Sequence, residues 1–156
     1  MRRALITTAA VLLAGVAGCK ATPPGKLETG TITFIKHHIT IGNKKEKNPL
    51  PDTPETRADG KEAFGHYCVA CHGMDGQNTG VPFVGNMSPP APSLVSPQVQ
   101  SYTDGQLKRI LDYGIKPSGM PGSKGILSDD ELWSIVTYLR HLPPKGSQGV
   151  PEIYTH

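Results

Sequence analysis

Apolar side chains recur at helical spacing in three separate stretches of the chain, and each stretch has a recognisable start. Thr53 followed by Pro54 is typical of a helix N-terminus, because the hydroxyl caps the first turn and the proline ring fits it. We predict that this helix continues to about Cys68. Thr103 and Ser128 begin the other two stretches, each three residues ahead of a Gln or Glu in capping-box spacing. The pattern therefore predicts three main helices.

The rest of the pattern favours loops over strands. The two later helices have apolar faces at helical spacing, and these are Leu107, Ile110 and Leu111, then Leu132, Ile135, Val136, Leu139 and Leu142. Gly114 is expected to end the second helix and Pro143 the third. A Gly- and Pro-rich stretch, residues 73–101, separates the first two helices, and no strand-like alternation or internal repeat is present. The predicted fold class is all-α, a small domain of about three main helices and long loops.

The composition indicates that such a fold needs support beyond its apolar core. The 156-residue chain contains 18 glycines and 15 prolines, and 37% of its residues are hydrophobic. A small domain with a thin apolar core and long loops needs a further brace, and a covalently held cofactor would be one. The formal net charge is only +3, and no basic run has aromatics interleaved with it, so we expect no nucleic-acid partner.

The first residues predict an export signal. Two arginines precede an almost wholly apolar stretch, residues 4–17, which is short for a membrane span but fits a signal peptide. The letters V-A-G-C that end at Cys19 resemble the bacterial lipoprotein signal, in which the cysteine is lipidated. We therefore predict a signal peptide over residues 1–18 and a lipid anchor at Cys19 on the periplasmic side of a bacterial membrane. Ordinary cleavage and an uncleaved anchor are the alternatives.

The chain divides by composition into four parts. Residues 1–18 are predicted to be the signal peptide, and residues 19–52 a lipid-anchored linker. The globular domain is predicted over residues 53–144, and residues 145–156 form a C-terminal tail.

Cys68, Cys71 and His72 form a C-x-x-C-H motif just after the first predicted helix. Two thiols at this spacing can form thioethers with one edge of a porphyrin, and the histidine that follows can bind the iron. The motif thus predicts one covalent haem c. The cysteine count agrees, because the chain has three cysteines and Cys19 is assigned to lipid.

Zinc and thiol redox chemistry are the two rival interpretations of the same letters. Zinc needs about four ligands, and no second Cys/His pair is present. A thioredoxin-like C-x-x-C pair follows a strand and begins a helix, whereas this pair follows a helix and precedes Gly73 and a loop.

A second iron ligand must come from the opposite side of the haem, and methionine sulfur suits haem iron. Met74 is too close to His72 to cross the ring, and Met87 lies in the Pro-rich loop. Met120 stands between the second and third helices, where neighbouring glycines and a proline shape the loop. We predict Met120 as the ligand, with Met87 or a purely structural Met120 as alternatives.

With these motifs, residues 54–144 resemble a class I cytochrome c of the bacterial single-haem kind. The resemblance implies that the first and last helices cross. In that family a glycine and an aromatic residue of the first helix, here Gly60 and Phe64, meet an aliphatic residue and a tyrosine of the last, here Ile135 and Tyr138.

The resemblance also implies a proline whose carbonyl accepts a hydrogen bond from the ligand histidine and so fixes the ring. Pro82 is the best match, with Pro89 and Pro90 as alternatives.

These features predict a single-electron carrier with His/Met-ligated haem, not an enzyme, that serves a periplasmic or membrane-associated redox chain. Partners would be redox proteins in transient contact, with no small-molecule substrate. A haem enzyme or gas sensor with an exchangeable ligand, and a dedicated cytochrome subunit of a periplasmic dehydrogenase or terminal reductase, are the alternatives. A weakly positive rim near the methionine could steer acidic partners. Its residues would be Lys108, Arg109, Lys116 and Lys124.

Overall fold

The computed structural model describes residues 41–42, 45–116 and 118–155. Its helices are α1 (Pro54–Tyr67), α2 (Val69–His72), α3 (Pro97–Gln100), α4 (Asp104–Tyr113) and α5 (Asp129–Leu139), with 3₁₀ turns at Val84–Asn86 and Glu152–Tyr154. Within those ranges there are isolated bridges but no strand. The predicted all-α fold class is confirmed, with α1, α4 and α5 as the three main helices. The predicted signal peptide and Cys19 lie outside the described residues.

The predicted helix starts are confirmed by their hydrogen bonds. Thr53 caps α1 by accepting a bond of 3.3 Å from the Thr56 N–H. Both capping boxes are formed. At α4 the Thr103 N–H donates to the Gln106 side chain, and at α5 the Ser128 N–H donates to the Glu131 carboxylate. Local sequence therefore sets where each helix begins.

The central contact of the domain is the crossing of α1 over α5. Gly60 is buried there, and a Cβ atom in its place would collide with the Ser134 carbonyl and lie 2.9 Å from Cβ of Tyr138. Four residues on, the rings of Phe64 and Tyr138 pack at 5.4 Å between centroids. The expected crossing is thus present. At Gly60 the nearest group is the Ser134 backbone, while Ile135 fills the core beside it, 1% exposed.

The core forms where α4 packs beside this pair. Its buried members are Ala63, Phe64, Val99, Tyr102, Leu107, Leu111, Leu127, Leu132, Trp133, Ile135, Val136, Tyr138 and Leu139. Every apolar position predicted to face inward on α5 contributes, apart from the half-buried Leu142 beyond its end. Burying an aliphatic or aromatic side chain contributes about 1.5–3 kcal/mol, so this cluster is the main apolar support of the fold.

Segments outside the predicted domain also contact it. The Asn48 side chain donates to the Trp133 carbonyl at 3.0 Å and to the Thr137 hydroxyl at 2.9 Å, both on α5. Residues 145–155 lie against the loop after α2, as described below. None of the helices in the described part of the chain is long and apolar enough to cross a membrane.

Substitution of two glycines on α1 tests how much the helix crossing contributes to stability. Gly60→Ala should cost about 3 kcal/mol of the free energy of unfolding, since its Cβ overlaps the backbone of α5. Gly65→Ala is the matched control, because a Cβ there meets nothing within 4 Å and alanine favours helix by about 1 kcal/mol. Urea unfolding of the holoprotein measures both. Similar midpoints for the two variants would contradict the close approach.

Candidate functional site

The C-x-x-C-H motif forms one tight turn that continues α1. The Cys68 N–H still donates to the Phe64 carbonyl at 2.9 Å, so Cys68 ends α1 and begins α2. Its own carbonyl accepts the N–H groups of Cys71 and His72 at 3.2 and 3.0 Å. Gly73 ends α2 with φ of 71°, a left-handed value that favours glycine. The turn therefore holds the three predicted site residues in one compact unit.

The two thiols are unpaired and half-buried. Burial, and then the charge of Cys71, raise the pKa of the Cys68 thiol to about 12. Reactive redox cysteines have a lowered pKa, so this environment does not suit thiol redox chemistry. Among the described residues, no three His, Cys, Asp or Glu side chains gather as a metal-binding group.

The His72 ring is held neutral. Burial lowers its pKa, while the backbone carbonyl of Pro92 acts in the opposite direction without reversing the shift. Nδ1 is buried and has no hydrogen-bond partner, although the Pro92 carbonyl lies near enough to affect the pKa of the ring. The expected acceptor, Pro82, is wrong: the carbonyl beside the ring is that of Pro92, and Pro82 is exposed. A neutral imidazole is the form that binds a metal.

Asn78 explains why the loop folds back to bring Pro92 to the histidine. Its N–H donates to the His72 carbonyl and its side-chain amide to the Ala91 carbonyl, each at 2.8 Å. Its φ is 63°, a left-handed value that asparagine adopts more readily than most residues. Our sequence analysis did not single out Asn78, although an asparagine between glycines in a loop is a signal for such a turn.

The loop after α4 places Met120 at the edge of the core. Its carbonyl accepts the Ile115 N–H at 3.1 Å, so the two residues form an antiparallel bridge. Gly114 allows this approach, since a Cβ there would collide with the Met120 carbonyl. The Met120 side chain is half-buried against the same core cluster that Cys68 contacts. Met87, the alternative candidate for the second iron ligand, follows a 3₁₀ turn in the long loop.

The positive face near the methionine differs from the expected rim in one residue. Lys108 is 5% exposed and donates to Asp112 and Asp129 at 2.8 and 2.9 Å, so it braces α4 against α5. It therefore does not belong to the rim. Arg109 and Lys124 do remain at the surface, both about 5 Å from the exposed ring of Tyr113 (4.9 and 5.0 Å to its centroid).

These residues fit a covalently attached haem. Two free thiols and a neutral histidine with a buried, unpartnered nitrogen share one turn, and a half-buried methionine lies on the same core. Helices α1 and α5 cross as a class I cytochrome c requires. The fold and the motif together define a small c-type cytochrome domain.

A family model described as cytochrome c oxidase, cbb3-type, subunit III, matches residues 55–139, more than half of the chain. The chain belongs to this family. It therefore carries covalently bound haem c with iron, and its chemistry is electron transfer. Domains of this kind are typically exported and exchange electrons with redox protein partners.

Substitution of two glycines with left-handed backbone conformations tests how the methionine loop packs. Gly114→Ala should cost about 3 kcal/mol of the free energy of unfolding, because its Cβ meets the Met120 carbonyl and lies 2.7 Å from the Pro121 carbonyl carbon. Gly119→Ala has the same kind of backbone cost, about 1 kcal/mol, but its Cβ meets nothing within 4 Å. Denaturant unfolding of the holoprotein compares them, and equal losses would contradict the packing of the loop.

Proposed function

We propose that the chain is a single-electron carrier whose haem is held by thioethers at Cys68 and Cys71, with His72 and Met120 as the two iron ligands. When bound, the haem iron supplies a reversible one-electron couple. The domain of residues 53–144 would be the redox unit of a protein that serves a periplasmic or membrane-associated chain.

The position of Met120 carries this proposal. The Met120 carbonyl accepts a hydrogen bond from Ile115 and lies against Gly114. The Met120 side chain packs against the core cluster that Cys68 also contacts. A soft sulfur ligand from this loop would be the second protein ligand of the iron and would raise the potential. A haem enzyme or gas sensor instead needs an open or easily released position, which a seated methionine does not provide.

The surrounding residues would hold the histidine and keep water out. Burial keeps His72 neutral, and the nearby Pro92 carbonyl would accept a hydrogen bond from the ring, which would fix its orientation and tune its basicity. Asn78 ties the loop to His72 on one side and to Ala91 on the other. The apolar cluster around Phe64 and Tyr138 excludes solvent from the interior.

Partners would meet the protein beside the methionine loop. Arg109, Lys116 and Lys124 lie close to Met120 along the chain, and Lys116 and Lys124 are exposed. Positive charge in this place favours an acidic redox partner and speeds encounter more than it adds affinity. Such contacts are small and brief, as electron exchange requires.

The family description favours one particular setting. It names a subunit of a terminal oxidase, so we propose that this domain passes electrons toward a membrane-bound terminal oxidase or serves as a dedicated cytochrome subunit of one. Lipidation at Cys19, after removal of residues 1–18, would confine the carrier to the same membrane. Residues 19–52 would then be its tether.

Replacing each candidate methionine tests the ligand assignment. Met120→Ala should abolish the methionine–iron charge-transfer band, lower the reduction potential, and permit rapid carbon monoxide binding to the reduced protein, because the iron loses a ligand. Met87→Ala is the control and should leave spectrum and potential unchanged. Rapid carbon monoxide binding to the unaltered protein, or the reverse ranking of the two variants, would overturn the assignment.

Cys19→Ser tests the lipid anchor. The variant should lose membrane attachment, since a serine at this position cannot form the thioether to lipid. Fractionation of cells that express the full-length chain measures the change, and the haem spectrum serves as the control for folding. Unchanged attachment of Cys19→Ser would contradict lipidation at this cysteine.

A further inference from the structure

Residues 145–155, named here the C-terminal strap, lie beyond the part of the chain that matches the family model. They run along the segment of residues 70–83, which contains the end of the attachment motif and the loop after it. Three separate contacts join the two segments.

The first contact reaches the attachment motif itself. The Tyr154 hydroxyl donates to the Ala70 carbonyl at 2.7 Å, and Ala70 stands between the two motif cysteines. The last carbonyls of a helix have no partner within it, and α2 is only four residues long. A donor from the far end of the chain thus satisfies a carbonyl of the turn that bears Cys71 and His72.

The second contact is a buried carboxylate. Asp75, three residues after His72, is 0% exposed and accepts hydrogen bonds from the Gln77 N–H, the Thr79 hydroxyl and, at 2.7 Å, the Gly146 N–H of the strap. A buried carboxylate is costly unless such donors surround it. The strap therefore completes the environment that lets Asp75 fix the loop after the histidine.

The third contact is apolar. The Tyr154 ring packs edge-on against Phe83 at 6.1 Å, and Pro151 of the strap is almost fully buried. Gly80 lies so close to Val150 that an added Cβ would be 2.6 Å from its methyl groups. The strap thus packs on the segment at Val150, Pro151 and Tyr154, while most of its other residues are exposed.

We propose that the C-terminal strap holds the haem-attachment turn in its closed position, with Tyr154 and Asp75 as positioning residues for His72. This inference rests on the proposed role of His72 as an iron ligand. Without these contacts, the Ala70 carbonyl loses the Tyr154 hydroxyl and the Asp75 carboxylate loses the Gly146 N–H. These two acceptors stand on either side of His72 in the sequence. The turn would then open more often and admit water to His72.

Tyr154→Phe in the full-length holoprotein is the sharpest test, since the ring stays against Phe83 and only the hydroxyl is removed. Thr155→Val is the matched control, because that hydroxyl donates to Glu152 inside the strap. Hydrogen exchange followed by mass spectrometry reports the opening of residues 69–80, and spectroelectrochemistry reports the potential. For Tyr154→Phe we expect about three- to tenfold faster exchange in residues 69–80, the equivalent of one hydrogen bond, and a downward shift in potential as water enters.

The outcomes separate positioning from general stability. Faster exchange confined to residues 69–80, with a shifted potential and a control that matches the unaltered protein, supports the proposal. Exchange that accelerates equally in α5, or a Tyr154→Phe variant indistinguishable from Thr155→Val, overturns it. Asp75→Asn, which keeps one acceptor oxygen but loses the carboxylate, should move both readouts in the same direction as Tyr154→Phe, and no movement would count against the strap.

Failure of the proposed function would look different. If the unaltered protein lacked the spectrum of a histidine-ligated haem, the ligand assignment would fail while the exchange comparison still measured the effect of the strap on residues 69–80. If the spectrum were normal and exchange were unaffected by Tyr154→Phe, only the strap proposal would fail.

Discussion

The close approach of α1 and α5 at Gly60 is the contact on which the rest of the domain depends. The two backbones meet there without a side chain between them, and the Phe64 and Tyr138 rings pack one turn further on. Because α1 ends where the attachment motif begins, this crossing also decides where Cys68 lies relative to the core. A change that separated the helices would therefore displace the haem site as well as expose apolar surface.

Around that crossing, polar groups add to the apolar contacts that hold the irregular segments. Asn78 and Asp75 organise the loop after His72, and Arg140 binds the start of α4 through the Tyr102 carbonyl and the Asp104 carboxylate. Asp75 is fully buried and its carboxylate must be hydrogen-bonded, while Asn78 and Arg140 are partly exposed. The bonds of these three side chains favour one loop conformation over the many that a Gly- and Pro-rich chain allows. The long loops are thus compatible with a precisely placed histidine.

Local features of this fold were readable from the residues themselves, and the crossing of the first and last helices followed from the family resemblance. Contacts that depend on how the loops return were not readable. The caps at Thr53, Thr103 and Ser128 are patterns over a few residues, and each forms as predicted. Pro82 was chosen for the histidine because of its place in the chain, but the return of the loop through Asn78 selects Pro92. The burial of Lys108 depends on an aspartate of another helix. The attachment and ligand roles of Cys68, Cys71, His72 and Met120 stay predictions.

The glycine contact between α1 and α5 also limits how much the connection between these helices must be conserved in length, because the contact does not depend on the loops. Residues 60 and 134 meet across a connection that includes the whole Gly/Pro-rich segment. The entropic cost of closing such a connection rises slowly, by about 0.6 kcal/mol for each doubling of its length. Insertions at solvent-facing points such as Gly85, where an added Cβ meets nothing within 4 Å, would leave the crossing intact at small cost. The same helix pair can therefore support connecting loops of very different size.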